Sequence, residues 1–167
     1  RFAMSLKSGW NLGNSLDAHT DTVGPNDNYI DLQGTTNLGI NEMDTETCYG
    51  NPKVSYELIR KVREAGYTTI RIPVSWHQHV YINNNFKISD AWMKRVKDII
   101  DYSLGLGFKV ILNTHHDIDP SFIYPDYAHL DISIRYIRSI WSQISDVFGN
   151  YDTNLIYEGC NEPRLSK

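Results

Sequence analysis

Residues 68–117 read TTIRIPVSWHQHVYINNNFKISDAWMKRVKDIIDYSLGLGFKVILNTHHD, and this stretch sets the fold class. It opens on a β-branched run, Thr68 to Ser75. In an extended chain Thr69, Arg71 and Pro73 fall on one face, while Ile70, Ile72 and Val74 form an apolar face of the kind that helices cover in a parallel sheet. Ser89 or Asp90 can cap the helix that follows, in which Trp92, Val96, Ile99, Ser103 and Leu106 share a face and Gly105 and Gly107 close the end. The chain then returns as a second apolar run, Phe108 to Thr114. Strand, long helix, strand predicts a parallel pair joined by a right-handed crossover.

The same alternation extends in both directions. Upstream, a short strand is expected around Gly9 to Gly13, followed by a long loop at 14–51 rich in Asp, Asn, Thr and Gly. A loop of that length is a functional feature or a disordered one. Pro52 is expected at the first position of a helix in which Val54, Leu58, Val62 and Ala65 recur before Gly66 stops it. Downstream, Leu130, Ile134, Ile137, Trp141, Ile144 and Phe148 predict one face of a third helix ending at Gly149, and Leu155 to Asn161 predicts a fourth strand. The class is α/β with a four-stranded parallel sheet. No glycine-rich phosphate loop follows any of these strands, which speaks against a doubly wound nucleotide-binding fold. Polar residues cluster instead at the carboxyl ends of successive strands: Asn11 and Asn14, Trp76 and His77, His115 and His116, Asn161 and Glu162. That is the active face of a (β/α)8 TIM barrel, of which this chain is expected to supply roughly the first four strands and three helices, a half-barrel. Its 167 residues suit a single domain by size, yet a complete barrel takes about 250.

Composition narrows the partners. Sixteen basic and twenty acidic residues give a net charge of −4, which argues against nucleic acid, where clustered Lys and Arg supply the affinity. No apolar stretch approaches the roughly 18 residues of a membrane helix. Cys48 and Cys160 lie far apart without metal-ligand spacing, so neither a zinc site nor a disulfide framework is expected.

The chemistry concentrates in three motifs. Tyr157-Glu-Gly-Cys-Asn-Glu-Pro163 places a carboxylate, Glu162, at a strand end beside an amide and before a proline, where a general acid can be held on rigid backbone. Period-two alternation puts Glu158 on the face of Glu162, with Asn161 opposite, and predicts that Glu158 pairs with Arg71 inside the barrel. Ile111-Leu-Asn-Thr-His-His-Asp117 carries two adjacent histidines better suited to substrate hydrogen bonds than to one metal ion. Gly9-Trp-Asn-Leu-Gly-Asn-Ser-Leu-Asp17 combines glycines and amides at the end of the first strand.

Together with Thr47-Cys-Tyr-Gly-Asn-Pro52 and Ile70-Arg-Ile-Pro-Val-Ser-Trp76, these motifs stand in the order and at the approximate spacing of glycoside hydrolase family 5. The chain resembles in particular the bacterial endo-β-1,4-glucanases of its fourth subfamily, from Ser8 onward, so that residues 1–167 would be the N-terminal half of the catalytic barrel. The resemblance implies retaining hydrolysis of β-1,4-glucosidic bonds by two glutamates, without metal or organic cofactor. Glu162 matches the acid/base, Asn161 the residue that holds the sugar 2-hydroxyl, Arg71 the arginine that orients the nucleophile, and His115 a histidine near the same subsite. His116 and Asn14 match lesser substrate contacts. Cys160 replaces a commoner Met, and Cys48-Tyr49 stands where an Ala-Trp pair is frequent.

Retaining hydrolysis needs two carboxyl groups about 5 to 5.5 Å apart, and the family places its nucleophile at the end of strand seven, beyond the four strands read here. Asp17, Asp117 and Asp119 show no attack motif. The expected partners are therefore a β-glucan and the missing C-terminal half of the barrel, or a self-associated copy. Cellulose, xyloglucan and mixed-linkage glucan are all open as substrates, and the alternative function is a non-catalytic half-barrel that binds glucan or only folds. Because polymeric glucan cannot enter a cell, a secreted protein is expected.

Overall fold

The computed structural model describes residues 6–20 and 41–165, so 21–40 of the long first loop lie outside the described residues. Four strands, β1 (Gly9–Asn11), β2 (Thr69–Ile72), β5 (Lys109–Asn113) and β6 (Leu155–Glu158), form one parallel sheet in the order β1-β2-β5-β6. A two-stranded antiparallel hairpin, β3 (Val80–Tyr81) with β4 (Lys87–Ile88), lies in the connection that follows β2. Helices α1 (Tyr56–Glu64), α2 (Asp90–Gly105) and α3 (Leu130–Phe148) occupy the three crossovers. The alternation expected from the sequence is thus present, and each strand pairs in parallel with the next barrel-type neighbour.

The helices are closed by local chemistry. Ser89 accepts from the Trp92 amide at the start of α2, as expected, and Gly107 takes a left-handed φ of 79° after its end. The first helix differs from the expectation. It begins at Tyr56 with Ser55 as cap, four residues after Pro52. Val54 is committed elsewhere: its amide donates to Glu46 Oε1 at 2.7 Å and its carbonyl accepts from Arg95 Nη2 at 2.6 Å. Part of the 14–51 loop is also ordered, as a 3-10 turn over Glu42–Thr47. Glu46, fully buried, binds the Arg95 guanidinium through both oxygens at 2.7 and 2.9 Å. Glu42 accepts from Ser89 Oγ at 2.5 Å and faces His79 Nδ1 at 3.2 Å. The loop's C-terminal end is therefore bolted to α2 and the β2–β3 connection by buried polar pairs that hydrophobic periodicity does not report.

The core lies between sheet and helices: Ile70, Ile72, Val110 and Leu112 from the strands meet Ile59, Val96, Ile99, Ile100, Ile140 and Phe148 from the helices. In α3 the buried stripe is Ser133, Tyr136, Ile140, Ile144 and Phe148 rather than the face expected from Leu130 and Ile134, which remain 47% and 38% exposed. Tyr136 decides the rotation, since its ring packs against Phe86 and Phe122 and its hydroxyl donates to Asp117. No helix among the described residues is long and apolar enough to cross a membrane.

Candidate functional site

The sheet register sets the site. Asn11 stands level with Arg71, and Asn113 stands level with Glu158 on the neighbouring strand, one pleat nearer the carboxyl ends. All four side chains meet on the face of the sheet away from the helices. Arg71 Nε and Nη2 donate to Glu158 Oε2 and Oε1 at 2.7 and 2.5 Å, the bidentate geometry that gives an arginine-carboxylate pair its strength. The expected pairing of Arg71 with Glu158 is thus present. Arg71 also donates to Asn161 Oδ1 at 3.0 Å and to Asn11 Oδ1 at 3.2 Å. The Arg71 guanidinium holds the Glu158 carboxyl below the ordinary carboxylate range, and Glu158 in turn raises Arg71, with the charges of Asp17 and Glu162 adding to the effect.

One element of the expected geometry is corrected. Strict alternation places Asn161 across the sheet from Glu158, whereas both bind the same guanidinium. The pleat ends at Glu158, and beyond it the chain follows other partners: Thr114 Oγ1 and Trp141 Nε1 both donate to the Gly159 carbonyl, and the Asn161 amide donates to the Thr114 carbonyl at 2.9 Å. Period two holds only while a ladder enforces it.

Glu162 follows with a φ of 39°, a left-handed conformation uncommon for a residue with a side chain. Its carboxylate is exposed and accepts from Arg164 Nη1 at 2.6 Å. Its charge reaches Arg71, but no hydrogen bond joins it to the Arg71 network.

The two histidines are placed by backbone first. The His115 amide donates to the Val74 carbonyl at 2.8 Å and the His116 amide to Ser75 Oγ at 3.2 Å. Burial pushes both imidazoles below their ordinary pKa of 6.5, with His116 and Arg71 adding repulsion at His115 and His19 at His116. Each Nε2 lies 3.9 Å from Asp17 Oδ2. Asp17 is itself buried, and its other oxygen accepts from the Ser15 amide at 2.9 Å. Asp17, His115 and His116 therefore converge, with ligand atoms within 4.8 Å of one another. Zinc bonds near 2.0–2.1 Å bring tetrahedral ligands to about 3.4 Å apart, closer than these atoms stand. A hydroxyl oxygen placed about 2.8 Å from both atoms of a 3.9 Å pair makes ordinary hydrogen bonds to each. The spacing leaves room for one hydrogen-bonding atom between each histidine and Asp17.

Asn14 is set apart from this network. It adopts a φ of 59°, and its carbonyl accepts from Asn51 Nδ2 at 2.9 Å, a bond between the end of the first strand and the far end of the long loop. Tyr49, 43% exposed, meets His19 edge to face, and His19 meets His116 in the same way, so an aromatic row borders the histidines.

Two residues of the site escaped the reading of the sequence. Asp17 was visible as a carboxylate near this face without a role, and Asn113 as part of the double-histidine motif. The signal at Asn113 is an amide closing the otherwise apolar run Val110-Ile-Leu112, where only a fully bonded polar side chain is tolerated. Asp117, by contrast, is structural. Its Oδ1 accepts from the Trp76 and His77 amides at 2.7 Å each, and the residue is buried.

A parallel sheet whose carboxyl ends gather a bonded arginine-carboxylate pair, amides and histidines has its polar residues where (β/α)8 barrels carry their active sites. Comparison with known proteins agrees. The family model "Cellulase (glycosyl hydrolase family 5)" matches residues 30–167, and the chain belongs to glycoside hydrolase family 5, whose fold is the (β/α)8 barrel. It is 40% identical over 157 residues to endoglucanase A of Clostridium longisporum, covering 94% of this chain and 27% of that protein. Endoglucanase A of Ruminococcus albus is 38% identical over 160 residues, covering 96% of this chain and 38% of the relative. Among solved structures, a family 5 lichenase from Caldicellulosiruptor sp. F32 superimposes with a TM-score of 0.85 at 42% identity, over 99% of this chain and 40% of that one. A broad-specificity endoglucanase of subfamily 4 from Ruminococcus champanellensis, with bound cellotriose, gives 0.83 at 36% identity, over 98% and 43%. The chain thus spans well under half the length of these relatives.

Proposed function

We propose that this chain carries the acid/base side of an endo-β-1,4-glucanase active site, acting with retention on a β-glucan. The observation that carries the reading is the network at the strand ends, in which Arg71 holds Glu158 and Asn161 together immediately before Glu162. On this reading Glu162 protonates the departing glycosidic oxygen and later deprotonates the attacking water, as the two-carboxylate mechanism requires. Asn161 offers its amide to the sugar 2-hydroxyl while Arg71 fixes its oxygen. His115 and His116, held neutral, bind hydroxyls beside Asp17, and Asn14 lines the cleft at the first strand. The exposed ring of Tyr49 offers a face for sugar stacking.

The reaction needs a second carboxylate as nucleophile. By the family resemblance it belongs to strand seven, within the C-terminal half of the barrel, and residues 1–167 act as the N-terminal half together with that segment; a self-associated copy covers open sheet edges but supplies no strand seven. Relatives include a lichenase and a xyloglucan-specific endo-β-1,4-glucanase, so mixed-linkage glucan and xyloglucan stand beside cellulose as substrates. A polymeric substrate places the enzyme outside the cell.

The test is release of reducing sugar from carboxymethyl-cellulose by the purified chain, with and without a polypeptide supplying strands five to eight. Turnover should require both parts and fall by at least about a hundredfold in Glu162→Gln, the scale expected for loss of a general acid. Full turnover by Glu162→Gln would overturn the assignment.

A further inference from the structure

We propose that Asn113 is a positioning residue that locks His115 as the neutral tautomer protonated on Nε2. His115 then faces the substrate as a hydrogen-bond donor. The inference deepens the hydrolase reading above and rests on it for the identity of the ligand, but its geometry stands on this chain alone.

The side chain of Asn113 is fully buried. Its Oδ1 lies 3.1 Å from the Val74 backbone nitrogen, which can only donate. Its Nδ2 lies 3.1 Å from Glu158 Oε1, and that carboxylate, ionised by Arg71, can only accept. Turning the amide over would set two donors against each other at Val74 and two acceptors against each other at Glu158. Both ends therefore fix the same orientation.

The amide nitrogen carries two protons, and its second partner is His115 Nδ1, also at 3.1 Å. A ring nitrogen facing an N–H must present a lone pair. A neutral imidazole has a single proton, which is thereby confined to Nε2. The groups surrounding the ring reinforce neutrality: His116 and Arg71 repel a positive charge, and burial opposes it, against attraction from Asp17 and Asp117. Protonation of Nδ1 would add a direct clash of two N–H groups.

The consequence lies at the other side of the ring. The protonated Nε2 lies 3.9 Å from Asp17 Oδ2, too far for a direct hydrogen bond. A hydroxyl seated between them accepts from His115 and donates to Asp17, so its hydrogen bonds have a fixed direction. The same lock works against a cation, which would need the Nε2 lone pair that the proton occupies. Glu158 and His115 are linked through a single amide, so the state of the Arg71 pair is felt by the histidine.

The test is nitrogen-15 NMR of the chain labelled at histidine, with His115→Gln used to identify the His115 signals. In the wild type at neutral pH, Nε2 should be protonated and Nδ1 not, with a titration midpoint below the ordinary 6.5. Asn113→Asp keeps an oxygen for Val74 but turns an acceptor toward Nδ1. His115 should then carry its proton on Nδ1, or become the imidazolium with a midpoint raised by about one unit or more. A purely structural asparagine would leave the tautomer unchanged. Protonation of Nδ1, or a rapidly exchanging mixture, in the wild type overturns the proposal, and that measurement decides it even where Asn113→Asp does not fold. The same holds if folded Asn113→Asp leaves Nδ1 unprotonated at neutral pH with the titration midpoint unmoved. Because no substrate is involved, failure here leaves the hydrolase reading intact, and failure of the turnover test leaves the tautomer intact.

Discussion

The pair of Arg71 and Glu158 allows a quantitative test of the site's architecture. Its side chains are 26% and 31% exposed and joined by two charge-assisted hydrogen bonds. Breaking a fully buried pair by removing one partner costs about 3–5 kcal/mol, while exposed pairs contribute about 0–1 kcal/mol. Partial exposure, and the neutral oxygens of Asn161 and Asn11 that still face Arg71, place Glu158→Gln between these limits. A loss of about 2 kcal/mol is expected. For a domain of this size that lowers the thermal midpoint by about 4–8 °C. Urea unfolding of the wild type, Arg71→Met, Glu158→Gln and the double variant should give a coupling energy of about 1–2 kcal/mol. The sign of the pH dependence follows from the depressed Glu158: the contribution is complete above the ordinary carboxyl value of 4.5 and lost as pH falls through the lower folded value. Additive single and double variants at neutral pH would refute a direct pair, and with it the placement of both residues on one face.

Two further outcomes follow from other parts of the fold. Glu46→Gln leaves Arg95 without its buried carboxylate, and a loss of about 3 kcal/mol is expected in chemical denaturation, the low end for a buried pair because Arg95 keeps the Val54 carbonyl. His115 and His116 have folded pKa values below the ordinary 6.5, so they contribute stability above that value and lose it as pH falls. The thermal midpoint should therefore drop between about pH 7 and pH 5 by less in His116→Gln than in the wild type.

Much of the scaffold could be read from residue spacing. The apolar triplet Ile70, Ile72 and Val74 and the capped helix from Ser89 follow rules that act over a few residues, and both stand as expected. The rotation of α3 did not, because Leu130 and Ile134 are as apolar as residues that pack, and only the aromatic neighbours of Tyr136 decide which stripe turns inward. The start of α1 was missed for a related reason. Pro52 suits a helix start, but Val54 is held by Glu46 in the preceding loop and by Arg95 on α2, neither of them within the periodic run that marks the helix.

The sequence by itself determined the class of fold, the strand ends at which polar residues collect, and the pairing of Arg71 with Glu158. Alternation and strand order carry that information locally. Tertiary structure alone decided that Asn161 joins Glu158 on one guanidinium, that Asp17 closes the histidine cluster, and that Asn113 links His115 to the ion pair. These depend on where the ladder ends and on which of an amide's two ends meets a donor, and both are fixed by neighbours from other strands.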